Sequence, residues 1–186
     1  MDDISLVFGA IQTLAIVGGI VLALMELRQL SDQRKTELSS KISEKLGSKE
    51  FLSDWNQLGQ LQWTDIDDYM KKYDSAVNPE VWARRLHVWT EFENLGYMLR
   101  QGLVDAELIA ASFGTISILV WGKWWPVIKH YRETESGPNY LSNFEYLAKE
   151  MWRLEKARGG VSPGFKSGFL MDRYRDLFEP VATAPP

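Results

Sequence analysis

Two histidines occur in the 186 residues, His87 and His130. His87 stands four residues before Glu91, and on a helix that spacing turns an imidazole and a carboxylate to one face, where both can reach a metal ion. A carboxylate-bridged di-iron bundle asks for more, a Glu three residues before a His on each of two helices. Here those places hold Arg84 and Val127. Glu91 and Glu93 are two apart and point to different sides of a helix, a poor arrangement for paired-carboxylate acid–base work. Together with Arg132 as an anion-binding cation, His87, Glu91, Glu93 and Arg132 are the residues that a pocket between helices would draw on. The alternative for each is a surface or structural role. Arg84-Arg85, which with Arg132 could bind an anionic group or lipid headgroup, reads more plainly as ordinary exposed charge on a helical domain. No metal, cofactor or catalytic residue is assigned on this pattern.

Other chemistries find less. The stretch Gly159 to Gly168 is glycine-rich and ends near Lys166 and Ser167, but it lacks the preceding strand and the spacing of a phosphate loop, and reads as a loop. No Gly-x-Ser-x-Gly elbow and no His-Glu-x-x-His pair is present. The chain has no cysteine, which removes disulfides, thiolate metal sites and a thiol nucleophile together. With 21 basic and 25 acidic residues spread along the chain for a net charge of −4, there is no basic stripe to neutralise phosphates, and nucleic acid is not an expected partner.

The element that stands out is N-terminal. From Ile4 to Met25 run 22 residues without a charge, with Ser5, Gln12 and Thr13 as the polar exceptions. About 20 apolar residues span a hydrocarbon core. A cleaved secretory signal begins with basic residues and has a shorter apolar run, whereas this chain starts Asp2-Asp3, so a retained anchor over residues 1–27 is expected. Arg28, Arg34, Lys35, Lys41 and Lys45 follow it and no basic residue precedes it. That asymmetry predicts an inner- or plasma-membrane protein with its N-terminus outside and its C-terminal domain in the cytoplasm. Ala15, Gly19 and Ala23 recur every four residues, a face on which another helix can approach closely, and Gln12 beside it would seek a hydrogen-bond partner within the membrane. The partners this implies are membrane lipid and other membrane-protein subunits, or a second copy of the chain. Small residues as mere filler are the plainer reading of the same face.

Behind the anchor the pattern is all-α. No proline or glycine interrupts Ile20 to Leu46, so the span is expected to continue as a helical stalk over residues 28–48 and to stop at Gly47. Short helices are expected around Trp55 and from Asp65 to Lys72. An antiparallel bundle of about three long helices should then fill residues 49–158. The first starts at Asn78-Pro79-Glu80 and closes at Gly102, with Trp82, Leu86, Trp89, Phe92, Gly96 and Leu99 as its buried stripe. The second covers Leu108 to Ile128. It is apolar enough to raise a second membrane span, with Trp121, Trp124 and Trp125 as its aromatic belt, but Lys123 and Pro126 favour a core helix in which those rings are packing or contact residues. The third follows Pro138-Asn139, with Tyr140, Phe144, Leu147, Met151 and Leu154 on one face. Residues 159–186 should give a loop, a short helix around Met171 to Phe178 and a flexible tail.

Trp89-x-x-Phe92-Glu93-x-x-Gly96, Gly102-x-x-Asp105, Trp121-x-x-Trp124, Arg132 and Tyr140-x-x-x-Phe144-Glu145-x-Leu147 resemble an uncharacterised bacterial family of small proteins with one N-terminal membrane helix and a helical domain. The resemblance covers Ile4 to Leu154 and implies architecture, with no assigned reaction. The string Phe-Glu-x-Leu, at Phe92 and again at Phe144, reads as a coincidence of two amphipathic helices. The expected function is that of a membrane-anchored, non-enzymatic accessory or tethering subunit. The alternative is a membrane-associated enzyme or ligand-binding domain with its pocket between tryptophan-bearing helices.

Overall fold

The computed structural model describes residues 2–159 and 169–179, with side chains from Gln12 to Gly159 and from Tyr174 to Glu179. Helices are the regular secondary structure of the described residues, in the order α1 (Asp2–Leu46), α2 (Lys49–Gln60), α3 (Ile66–Tyr73), α4 (Pro79–Arg100), α5 (Ala106–Thr134), α6 (Ser142–Ala157) and α7 (Phe169–Phe178). They form two compact units, residues 1–40 and 41–186. The division falls inside α1, beyond the apolar stretch, because Ile42 and Leu46 in its last turns are already buried in the second unit. The expected loop after Gly159 and the tail from Val181 lie outside the described residues.

α1, most of which makes up the first unit, is one uninterrupted helix, as the lack of Pro and Gly after Ile20 leads one to expect. Its 45 residues correspond to about 67 Å. Side chains from Gln12 to Glu37 are exposed.

In the second unit, short polar side chains set the helix starts. Ser48 accepts from Phe51 N–H at 3.2 Å, Asp65 from Asp68 N–H at 2.9 Å, and Asn78 from Val81 N–H at 3.1 Å just before Pro79. Asp105 accepts from both Glu107 and Leu108 N–H, at 2.9 and 3.0 Å. Each answers one or two of the amides that a helix start leaves unpaired. Gly102 closes α4 at φ 66° and Gly159 follows α6 at φ 80°, a left-handed turn that glycine enters without steric cost. Pro126 does not end α5, which continues to Thr134.

The bundle is organised around α6. Its backbone approaches both α4 and α5 closely, whereas α4 and α5, consecutive in sequence and expected to be close neighbours, meet through the rings of Trp89 and Trp124, 5.6 Å apart between centroids. Side-chain size explains the difference. A Cβ on Gly96 of α4 would collide with the Asn143 carbonyl at the start of α6, and Gly114 of α5 lies against Met151 and Glu155 of α6. Glycines admit α6 closely on both sides, while two indoles hold α4 and α5 apart. Phe92 and Phe144, each opening a Phe-Glu-x-Leu string, stack at 4.9 Å across the α4–α6 seam.

The stripe on α4 differs from expectation. Trp82 and Leu86 are 37% and 40% exposed, and the buried set is Arg85, Val88, Trp89, Phe92, Leu95, Gly96 and Leu99. Near its start α4 turns Arg85 inward, because tyrosines of α3 and α5 are there to receive the guanidinium.

Candidate functional site

The four residues that a pocket would have shared go to separate places. His87 Nδ1 lies 2.9 Å from Asp54 Oδ2 on α2, and the ring meets Phe51 edge-on at 6.2 Å. Glu91, one turn on, pairs instead with Lys45 at 2.8 Å. Glu93 crosses to α6, where its carboxylate accepts from Asn143 N–H at 3.2 Å, the Asn143 side-chain amide at 2.8 Å and Phe144 N–H at 2.7 Å. This is a helix cap supplied from another helix. The residue in the capping position of α6, Leu141, has no side-chain hydrogen bond to offer, and a carboxylate at a helix N-terminus is favoured by the unpaired amides and the helix dipole. Arg132 donates from Nε to the Tyr140 carbonyl at 2.8 Å and from a terminal nitrogen to Glu145 at 2.7 Å. Its guanidinium also lies over Trp121 and Trp125, at 5.6 and 5.5 Å. Burial alone would raise the Glu145 carboxyl, but the hydrogen bonds from Lys149 and Arg132 outweigh it and hold the group below the usual carboxylate range. Among the described residues no three His, Asp or Glu side chains gather to hold a metal.

Of the tryptophans singled out on α5, Trp121 and Trp124 are buried and Trp125 is half-buried. Lys123, which interrupts the apolar run, reaches α2. Its ammonium donates to the carbonyls of Gly59 and Leu61 at 2.6 and 3.0 Å and sits 5.2 Å from the centre of the Trp63 ring. It thus completes the C-terminal end of α2, where carbonyls lack helical partners and a cation is favoured.

Arg85, read in the sequence as surface charge, is 3% exposed. It donates to the hydroxyls of Tyr69 and Tyr131, the latter at 3.1 Å, and its guanidinium lies 4.8 Å from the ring centres of both Trp89 and Tyr131. Tyr131 in turn donates to Asp74 at 3.4 Å. Rings and phenols therefore solvate this cation where a carboxylate commonly would. Burial pushes the Tyr69 phenol up to about 12, against the pull of the Arg85 charge. Tyr131 and Tyr140 are raised by burial in the same way. One local clue to this arrangement exists, the four-residue step from Arg85 to Trp89. Tyr69 and Tyr131 are too distant in sequence to have been foreseen.

A cleft of about 540 Å³ opens between the end of α2, α5 and α7, lined by Trp55, Leu61, Trp63, Leu119, Lys123 and Tyr174 among others. Trp63 is braced from behind by Tyr69 at 5.3 Å and Trp124 at 5.1 Å. Tyr174 lies so close to α5 that a Cβ on Gly122 would collide with its ring. α7 is fastened at its other end, where Phe178 stacks on Trp152 at 4.7 Å and Glu179 accepts from the Trp152 indole N–H at 3.0 Å and pairs with Lys156 at 2.8 Å. Sequence reading singled out none of Trp55, Trp63, Gly122 and Tyr174 as site residues, since they come together from three separate segments.

In the first unit, Gln12, Ala15, Gly19 and Ala23 are all exposed along α1, and a Cβ on Gly19 would meet nothing within 4 Å.

These features define an all-helical protein with a long apolar N-terminal helix and a bundle packed on tryptophan, arginine and tyrosine. The chain belongs to the family of the domain of unknown function DUF4760, which matches residues 13–152. The matched region runs from within α1 to Trp152 of α6 and leaves α7 outside it. No curated protein and no solved structure matches the chain.

Proposed function

We propose that this protein is a membrane-anchored helical module that works by binding, as an accessory or tethering subunit of a larger membrane complex. The apolar part of α1 crosses the bilayer, the N-terminus lies outside, and the unit from Lys41 onward is held at the cytoplasmic surface. The observation that carries this reading is the exposure of α1. Its large apolar side chains from Leu14 to Leu30 are between 49% and 71% exposed, an apolar surface far beyond what a water-soluble monomer leaves uncovered, over a length that suits a hydrocarbon core. Basic residues confined to one flank support the orientation. The face of Gln12, Ala15, Gly19 and Ala23 is the part of the span suited to a neighbouring helix.

Purification of the intact protein from native membranes in mild detergent, with mass spectrometry of what accompanies it, tests the reading. Stoichiometric membrane-protein companions are expected, and they should be lost when residues 1–27 are deleted. Recovery of the intact chain in the soluble fraction would remove the anchor. Companions retained by the truncated chain would remove the docking role of the helix.

A further inference from the structure

The cleft between the end of α2, α5 and α7 is a feature that anchoring leaves unused. Its volume of about 540 Å³ falls within the range of small-molecule sites, roughly 300–1,000 Å³. Three aromatic side chains line it, Trp55 and Trp63 from α2 and the residues just after it and Tyr174 from α7, together with Leu61 and Leu119. Two of these rings are held in place before any ligand arrives. Trp63 is backed by Tyr69 and Trp124. Tyr174 is seated against α5 at Gly122, a position where any larger residue would push the ring away. Such fixed walls reduce the ordering cost of binding. The Lys123 ammonium belongs to the same lining and is held near Trp63 by the carbonyls of Gly59 and Leu61.

We propose that this cleft is a binding site for a small planar aromatic molecule. The ring of such a ligand lies among Trp55, Trp63 and Tyr174, and the site is independent of the membrane-anchoring role.

The test uses the full chain in lipid nanodiscs, labelled with 5-fluorotryptophan, with indole as the probe. The fluorine resonances of Trp55 and Trp63, assigned from Trp55→Phe and Trp63→Phe, are expected to move saturably with indole. Gly59 lines the cleft and a Cβ there would meet nothing within 4 Å, so Gly59→Phe is the first blocking variant and should abolish the shifts while the resonances of Trp89 and Trp124 stay in place. Gln62→Trp, at another exposed lining position, repeats the block independently. Absence of a saturable shift, or shifts that survive both blocking variants, would overturn the proposal.

Discussion

Two helices of this chain, α1 and α5, are long and apolar enough to cross a membrane by length and composition, yet they use their apolar surface in opposite ways. α1 leaves its side chains uncovered from Gln12 to Glu37. α5 buries Ile118, Trp121, Trp124, Val127, Ile128 and Tyr131 against the rest of its unit and sends Lys123 to the end of α2. Hydropathy averaged along a helix does not distinguish them. The distribution around the helix does, since α1 is apolar on all sides through its uncharged stretch, whereas α5 carries Ser112, Lys129 and Glu133 on the side away from its core face. The same contrast holds for glycine. On α1, Gly18 and Gly19 have nothing near them, whereas Gly96 and Gly122 in the bundle are places where another segment occupies the space of the missing side chain.

The contrast is open to direct attack, most strongly through packing. Trp124→Ala should cost the unit from Lys41 onward about 3–5 kcal/mol, and Gly96→Val should prevent close docking of α6 altogether. Leu22→Ala and Gly19→Ala on α1 should leave the thermal melting of that unit unchanged. A comparable loss from the α1 variants would mean that the two helices are not used differently.

Alkaline titration sharpens the comparison with a somewhat smaller effect. All seven tyrosines lie beyond α1, so phenol ionisation acts on the bundle. Because the folded value for Tyr69 is raised from 10.0 to about 12, the folded state retains a proton that the unfolded chain releases. Its contribution, on the order of 2–3 kcal/mol, is therefore fully present below pH 10 and is lost as pH rises from 10 to 12. Tyrosinate absorbance followed together with circular dichroism should show part of the tyrosine titration coinciding with unfolding of the bundle. A full set of tyrosinates forming in a still-folded protein would contradict the buried network around Arg85.

The smallest effect concerns one helix end. Glu93→Gln keeps the shape but removes the charge that caps α6, and a loss of about 1 kcal/mol is expected. Hydrogen exchange should speed up at the amides of Asn143 and Phe144 ahead of those in α4. Unchanged protection there would show that the cap is dispensable.

Much of this architecture was legible in the sequence because its signals are local. Asn78-Pro79, Asp105, Gly102 and Gly159 mark helix ends with groups that act on amides or carbonyls one turn away. The uninterrupted run to Leu46 likewise gave α1 its length. What escaped is what depends on residues distant in sequence. Trp82 and Leu86 follow the apolar period, but the tyrosines that draw Arg85 inward come from α3 and α5. His87, Glu91, Glu93 and Arg132 look like one set because three of them crowd a single helix, yet Asp54, Lys45, Asn143 and Glu145 divide them. The repeated Phe-Glu-x-Leu string, read as coincidence, lies on two helices that meet, with its phenylalanines stacked. Lys123 counted as an interruption until the end of α2 was beside it.

Glu93 also bears on how the chain folds. The first turn of α6 borrows its cap from a residue about fifty positions upstream, and Leu141 just before it sits at φ 56°, a backbone state unfavourable for a branched side chain. A segment that starts at Asn139 therefore lacks, by itself, the group that would fix where its helix begins. Helix formation in α6 and docking of α6 onto α4 become one event, and the bundle gains cooperativity from a single carboxylate placed on the wrong helix.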